Sequence, residues 1–152
     1  MKNLKTKRYD MKATRQGKIE ARGYIDMKAT ETGAELYLYG DIVDDELTAA
    51  YFGGHCPQAI ADFVNGLNPN APMTIYFNSP GGDVISGLAV YDFIRLMKSP
   101  VKTVCTGTAA SMGAILFLAG NVRQMLPHSR VMIHDPSYSR NDIGGRKPHE
   151  IQ

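Results

Sequence analysis

Serine and histidine act as nucleophile and base only in a particular setting. The alcohol must sit exposed on a turn, with an imidazole within hydrogen-bond reach and backbone donors aimed at the charge that develops on an attacked carbonyl. Ser111 has the first part of that setting. It lies between two apolar runs, inside Ala109-Ala-Ser-Met-Gly113, a small-residue relative of the G-x-S-x-G turn whose slight neighbours let the backbone bend sharply. As the first residue of a predicted helix it leaves the amide of Met112 without an intrahelical acceptor, at the end where the helix dipole favours negative charge. The plainer role for such a serine is an N-cap, and alone Ser111 reads that way. A second strand-to-helix junction, Ser79-Pro-Gly-Gly82, shifts the balance, because parallel strands deliver such turns to one sheet edge. There Gly81 and Gly82 let the backbone approach a substrate carbonyl closely. The turn lacks the Lys and Ser/Thr of a P-loop.

Four histidines are candidate bases. His134 is the best placed, because it ends the apolar run Val131-Met-Ile133 just before Asp135-Pro136, where a side chain emerges from a core into a strand-end crevice. His55 lies beside a Gly-Gly break, His128 in a Pro-Ser turn and His149 in a polar tail, and each reads as a surface residue.

The elements that position these groups follow from periodicity. Alternation over residues 19–27 and 35–39, with Thr32-Gly33 between, predicts two strands joined by a hairpin-like turn. Helical spacing of Ile60, Phe63, Val64 and Leu67 predicts an amphipathic helix within 44–67. Residues 73–77 read as a short apolar strand and 83–97 as a helix stopped by Ser99-Pro100. The grammar then repeats: strand 101–106, a helix from Ser111 through Ala119 that is apolar on every side and so expected to be buried, and short strands at 122–126 and 130–134. Strand, helix, strand, helix with strands of the buried type implies an α/β domain with a largely parallel sheet.

Composition narrows the class. At 152 residues and 43% apolar content, one domain with one core is expected. The longest uncharged apolar stretch, 109–120, spans only about half of a bilayer, so no transmembrane segment is expected. No apolar stretch follows the basic start, which leaves no visible secretory signal and a cytoplasmic expectation. Cys56 and Cys105 lack metal-ligand spacing and read as reduced and structural. Seven Lys or Arg fall within residues 1–18 against Asp10 alone. That stretch reads as a solvated or disordered basic arm. With Tyr9 its only aromatic, nucleic acid is not the expected partner.

Three ordered blocks carry a more specific signal: Asn78-Ser-Pro-Gly-Gly82; Gly107-Thr-Ala-Ala-Ser-Met-Gly113 with Leu118-Ala-Gly120; and Leu126-Pro-His-Ser-Arg-Val-Met-Ile-His-Asp-Pro136. Together they resemble the signatures of the Clp protease proteolytic subunit, over roughly residues 37–136. The resemblance implies the Clp and crotonase type of fold, a spiral of β-β-α units, over residues 19–136. It implies Ser111 as nucleophile, His134 as general base, and the amides of Gly82 and Met112 as oxyanion hole. It further implies acyl-enzyme hydrolysis of unfolded polypeptides with no metal or organic cofactor, stacked heptameric rings, and an ATP-driven AAA+ unfoldase as partner.

Two departures qualify that picture. The family's triad aspartate follows the histidine by a few dozen residues, beyond a handle helix, whereas 137–152 resembles only the approach to that helix. Asp135 points to the opposite face from His134, and Asp142 serves only if the tail folds back. A shortened or degenerate copy is therefore one expectation, and a catalytically weak or inactive structural or regulatory ring subunit its corollary. The leading segment resembles instead the N-terminal strands of phage head-maturation relatives, whose substrate would be capsid scaffold. A crotonase-like acyl-CoA enzyme shares the fold, but it transfers protons with acidic residues, against which Ser111 and His134 stand.

Overall fold

A computed structural model describes residues 5–15, 18–30, 32–42 and 70–136. The helix expected within 44–67, and with it Cys56, His55, Asp142 and His149, lies outside the described residues.

Among the described residues seven strands form one sheet in the order β1-β2-β3-β4-β5-β6, with β7 also on β5. They are β1 (Lys5–Arg15), β2 (Lys18–Thr30), β3 (Gly33–Gly40), β4 (Met73–Ser79), β5 (Val101–Ala110), β6 (Val122–Met125) and β7 (Arg130–Met132). The helices are α1 (Val84–Leu96) and α2 (Met112–Leu118). β1, β2 and β3 pair antiparallel, and every pairing from β3 onward is parallel. This is the mixed α/β, largely parallel arrangement that the alternation of strands and helices predicts.

Period-two alternation sends Ile25 and Met27, Leu36 and Leu38, and Ile75 and Phe77 to one face, where all are buried. Val90 and Ile94 of α1 and Met112, Leu116 and Phe117 of α2 join them in one core. Full burial of each such large side chain contributes about 1.5–3 kcal/mol. Phe77 meets Phe117 edge-on, with centroids 6.4 Å apart, which docks α2 under β4. The opposite face is half-exposed and aromatic. Tyr37 stacks on Tyr76 at 4.6 Å, and its hydroxyl donates to Glu35 Oε2 at 2.9 Å. Burial and the Glu35 carboxylate push the Tyr37 phenol up to about 12.

Three details differ from expectation. Residues 5–15 of the stretch read as a basic arm form β1, and β2 starts at Lys18, one residue before the expected boundary. Strand pairing satisfies backbone groups whatever the side-chain charge, and Arg8 contributes an ion pair to Asp26 at 3.4 Å while lying over the Tyr24 ring at 4.0 Å. α2 is mostly buried, but Leu118 is 44% exposed. β7 and Ile133 are exposed despite their apolar sequence.

Candidate active site

Three parallel strands bring the chemistry-bearing residues to one end of the sheet. Ser79 pairs with Ala109, and Ala110 pairs with Met132. The turn after β4, the turn after β5 and the chain leaving β7 are therefore neighbours at the strands' C-terminal ends.

Ser111 forms the turn after β5. Its φ is 53° and ψ −125°, and among the described residues it is the only non-glycine with positive φ. An L-residue occupies such a conformation only where its surroundings impose it. Three backbone hydrogen bonds do so here: the Ser111 amide donates to the Met132 carbonyl at 2.8 Å, and its carbonyl accepts from the amides of Ala114 at 3.0 Å and Ile115 at 3.3 Å. The half-buried hydroxyl makes no capping hydrogen bond to α2, although Ser111 stands at the N-cap. An ordinary N-cap serine accepts an amide of the first turn, so the plainer reading of this residue does not describe it.

Gly81 and Gly82 form the turn after β4, with φ of 99° and 145°. A Cβ on Gly81 would come within 2.7 Å of Ser111 Cβ and 2.9 Å of Met112 N, so the glycine backbone lies directly against the serine turn. The Gly81 carbonyl accepts from Ile42 N at 2.8 Å. In a trans peptide the C=O and the following N–H point opposite ways, so the Gly82 N–H points away from Ile42, toward the side of β4 where β5 and Ser111 lie. Met112, first residue of α2, has no carbonyl four residues back in its own helix. The Met112 amide thus adjoins the serine, and the Gly82 amide faces its side of β4.

His134 lies two residues beyond Met132. The Met132 carbonyl accepts the Ser111 amide, which ties the start of the segment leading to His134 to the serine turn, and among the described residues the one hydrogen bond of the His134 ring is to its own neighbour. The imidazole is exposed, and its Nδ1 stands 2.6 Å from the backbone carbonyl of Asp135. A carbonyl only accepts, so Nδ1 carries the proton and Nε2 is left as the basic nitrogen.

Local sequence explains most of this placement, but it did not reveal the positive φ of Ser111, the Ile42 contact or the part played by Ser79. Ser79 is fully buried, and its Oγ accepts the Gly81 amide at 3.1 Å. A Ser two residues ahead of a glycine turn is the one local signal for that bond. Ile42 is a long-range partner with no such signal. No group of His, Cys, Asp or Glu able to hold a metal ion occurs among the described residues.

The sequence and the fold both match known proteins. The family model described as Clp protease matches residues 58–144. The chain is 38% identical over 125 residues to an ATP-dependent Clp protease proteolytic subunit of Psilotum nudum, covering 81% of this chain and 60% of that protein. It is 41% identical over 122 residues to one of Physcomitrium patens, covering 78% of this chain and 58% of that protein. Among solved structures, the ClpP1 N165D mutant from Listeria monocytogenes matches with a TM-score of 0.57 and 33% identity, over 68% of this chain and 57% of its own. The fold and the turn-borne serine define a Clp-type α/β protein, and the chain belongs to the Clp protease family. It spans about 60% of the length of the curated relatives it matches.

Proposed function

We propose that this chain is a serine endopeptidase, a proteolytic subunit that cleaves unfolded polypeptides through an acyl-enzyme. Ser111 attacks the peptide carbonyl while His134 Nε2 takes its proton; the amides of Gly82 and Met112 bind the oxyanion; His134 then protonates the leaving amine, and water hydrolyses the ester. One observation carries the reading: a serine held at positive φ, its hydroxyl unused for capping, beside the glycine turn. The Asp135 carbonyl fixes the tautomer of His134 but bears no full charge, so it orients the imidazole without stabilising the imidazolium as a carboxylate does. No cofactor enters any step.

The same reading gives the subunit a self-assembled ring, heptameric by resemblance, fed by an ATP-driven AAA+ unfoldase in the cytoplasm. Support comes from the exposed apolar side chains Val122, Met125, Leu126, Met132 and Ile133 on and beside β6 and β7, of the kind found at association surfaces. No helix among the described residues is long and apolar enough to cross a membrane.

A fluorophosphonate probe tests the chemistry. An adduct on Ser111, absent in Ser111→Ala, is the expected result. A folded protein that takes up no probe at Ser111 is not a peptidase of this type.

A further inference from the structure

The Gly81–Gly82 peptide has an unusual problem of orientation. Both residues are glycines at positive φ, and glycine populates either sign of φ with little preference. Left to itself the intervening peptide could rotate, turning the Gly82 N–H out of the site and the Gly81 carbonyl into it. An oxyanion donor contributes only if it is already aimed when charge develops.

Two contacts oppose that rotation. On one side the Gly81 carbonyl is tied to the amide of Ile42, and Asp83 N returns a bond to the Ile42 carbonyl, both at 2.8 Å. On the other side the Gly81 amide donates to Ser79 Oγ at 3.1 Å. Ser79 is itself fixed: it is fully buried, its Cα pairs with Ala109 in the sheet, and Gly113 packs against its carbonyl and Cβ. The hydroxyl sits at the base of the turn and has no exposure to substrate. Its one visible bond is to the peptide preceding the donor.

We propose that Ser79 is a positioning residue of the active site: with the Ile42 amide it latches the Gly81–Gly82 peptide so that the Gly82 N–H faces Ser111. This rests on the peptidase reading above. The bond that Ile42 makes to the Gly81 carbonyl also polarises the shared peptide, strengthening the opposite N–H as a donor.

The test is the rate and the final extent of fluorophosphonate labelling, measured on the full chain and on Ser79→Ala. The expected outcome is labelling of Ser111 to the wild-type extent at a rate lowered on the order of 10-fold to 100-fold, with peptide KM unchanged, as for a donor displaced by a fraction of an ångström. Restoration of the hydroxyl in Ser79→Thr should recover the rate. Labelling at the wild-type rate overturns the latch, and so does labelling at that rate to a reduced extent, which means a smaller folded fraction and a merely structural serine. If Ser79→Ala does not fold, replacing Ile42 by its α-hydroxy acid removes the other tether without touching the core. The same slowing supports the latch and an unchanged rate overturns it. Absence of labelling in the wild type would instead remove the peptidase reading.

Discussion

The two strand-to-helix turns, after β4 and after β5, face each other and solve the same problem differently. The first takes positive φ with glycines and then caps α1 with Asp83, whose Oδ1 accepts the Ser86 amide at 2.7 Å. The second takes positive φ with Ser111 and gives α2 no side-chain cap. The first turn thus meets every local preference of the backbone, while the second carries strain of about 1–3 kcal/mol and leaves a hydroxyl uncommitted. Strain is tolerated where a side chain is needed at a point that glycine cannot serve.

Substitutions can break that contrast. Ser111→Gly should give the largest effect, with peptidase activity and probe uptake falling on the order of 10⁴-fold or more while denaturant unfolding shows stability rising by about 1 kcal/mol as positive φ becomes permissible. A variant no more stable than wild type would mean that the turn is not strained. Gly81→Ala drives a Cβ into Ser111 at a φ of 99°. It should slow probe uptake at Ser111 about 100-fold and lower stability by about 1–3 kcal/mol, both measurable on one sample.

Subtler changes sharpen the comparison. Asp83→Ala removes a cap that exists and should lower stability by about 1 kcal/mol with peptide turnover nearly unchanged, whereas Ser111→Ala removes no cap bond and should lack that cap penalty. Equal penalties in chemical denaturation would erase the distinction between the turns. The smallest effect lies away from both. Tyr37, held protonated up to about 12, binds its proton more tightly folded than unfolded. Its contribution is complete below about pH 10, the ordinary phenol value, and is lost as pH rises through about 12. Alkaline unfolding of Tyr37→Phe should show a shallower loss over that window, and an identical slope would exclude Tyr37 as its source.

How much was legible in advance depends on the range of the interaction. β4, α1, β5 and α2 follow from runs of apolar residues at period two or 3.6, broken by Pro100 and by the glycine turn. The Ser111 turn and the Gly-Gly turn could be placed together because strand-to-helix junctions in a parallel sheet share an edge, and His134 was nominated because it ends an apolar run. β1 was not, because lysines and arginines hide a strand whose stability comes from pairing with β2. The exposure of β7 was equally hidden. Val131 and Ile133 are as apolar as core residues, and only the topology, with β6 and β7 lying end to end along β5, puts them on the surface. The Ile42 tether joins residues 39 positions apart through Gly81, beyond the reach of any local pattern.

The bond from the Ser111 amide to the Met132 carbonyl has a mechanical consequence. It couples the peptide of the proposed nucleophile to the strand that leads into His134, so outward breathing of that strand pulls on the serine turn as well. Thermal motion at the sheet's margin would then be felt at the serine turn and, through it, at the glycine turn packed against it.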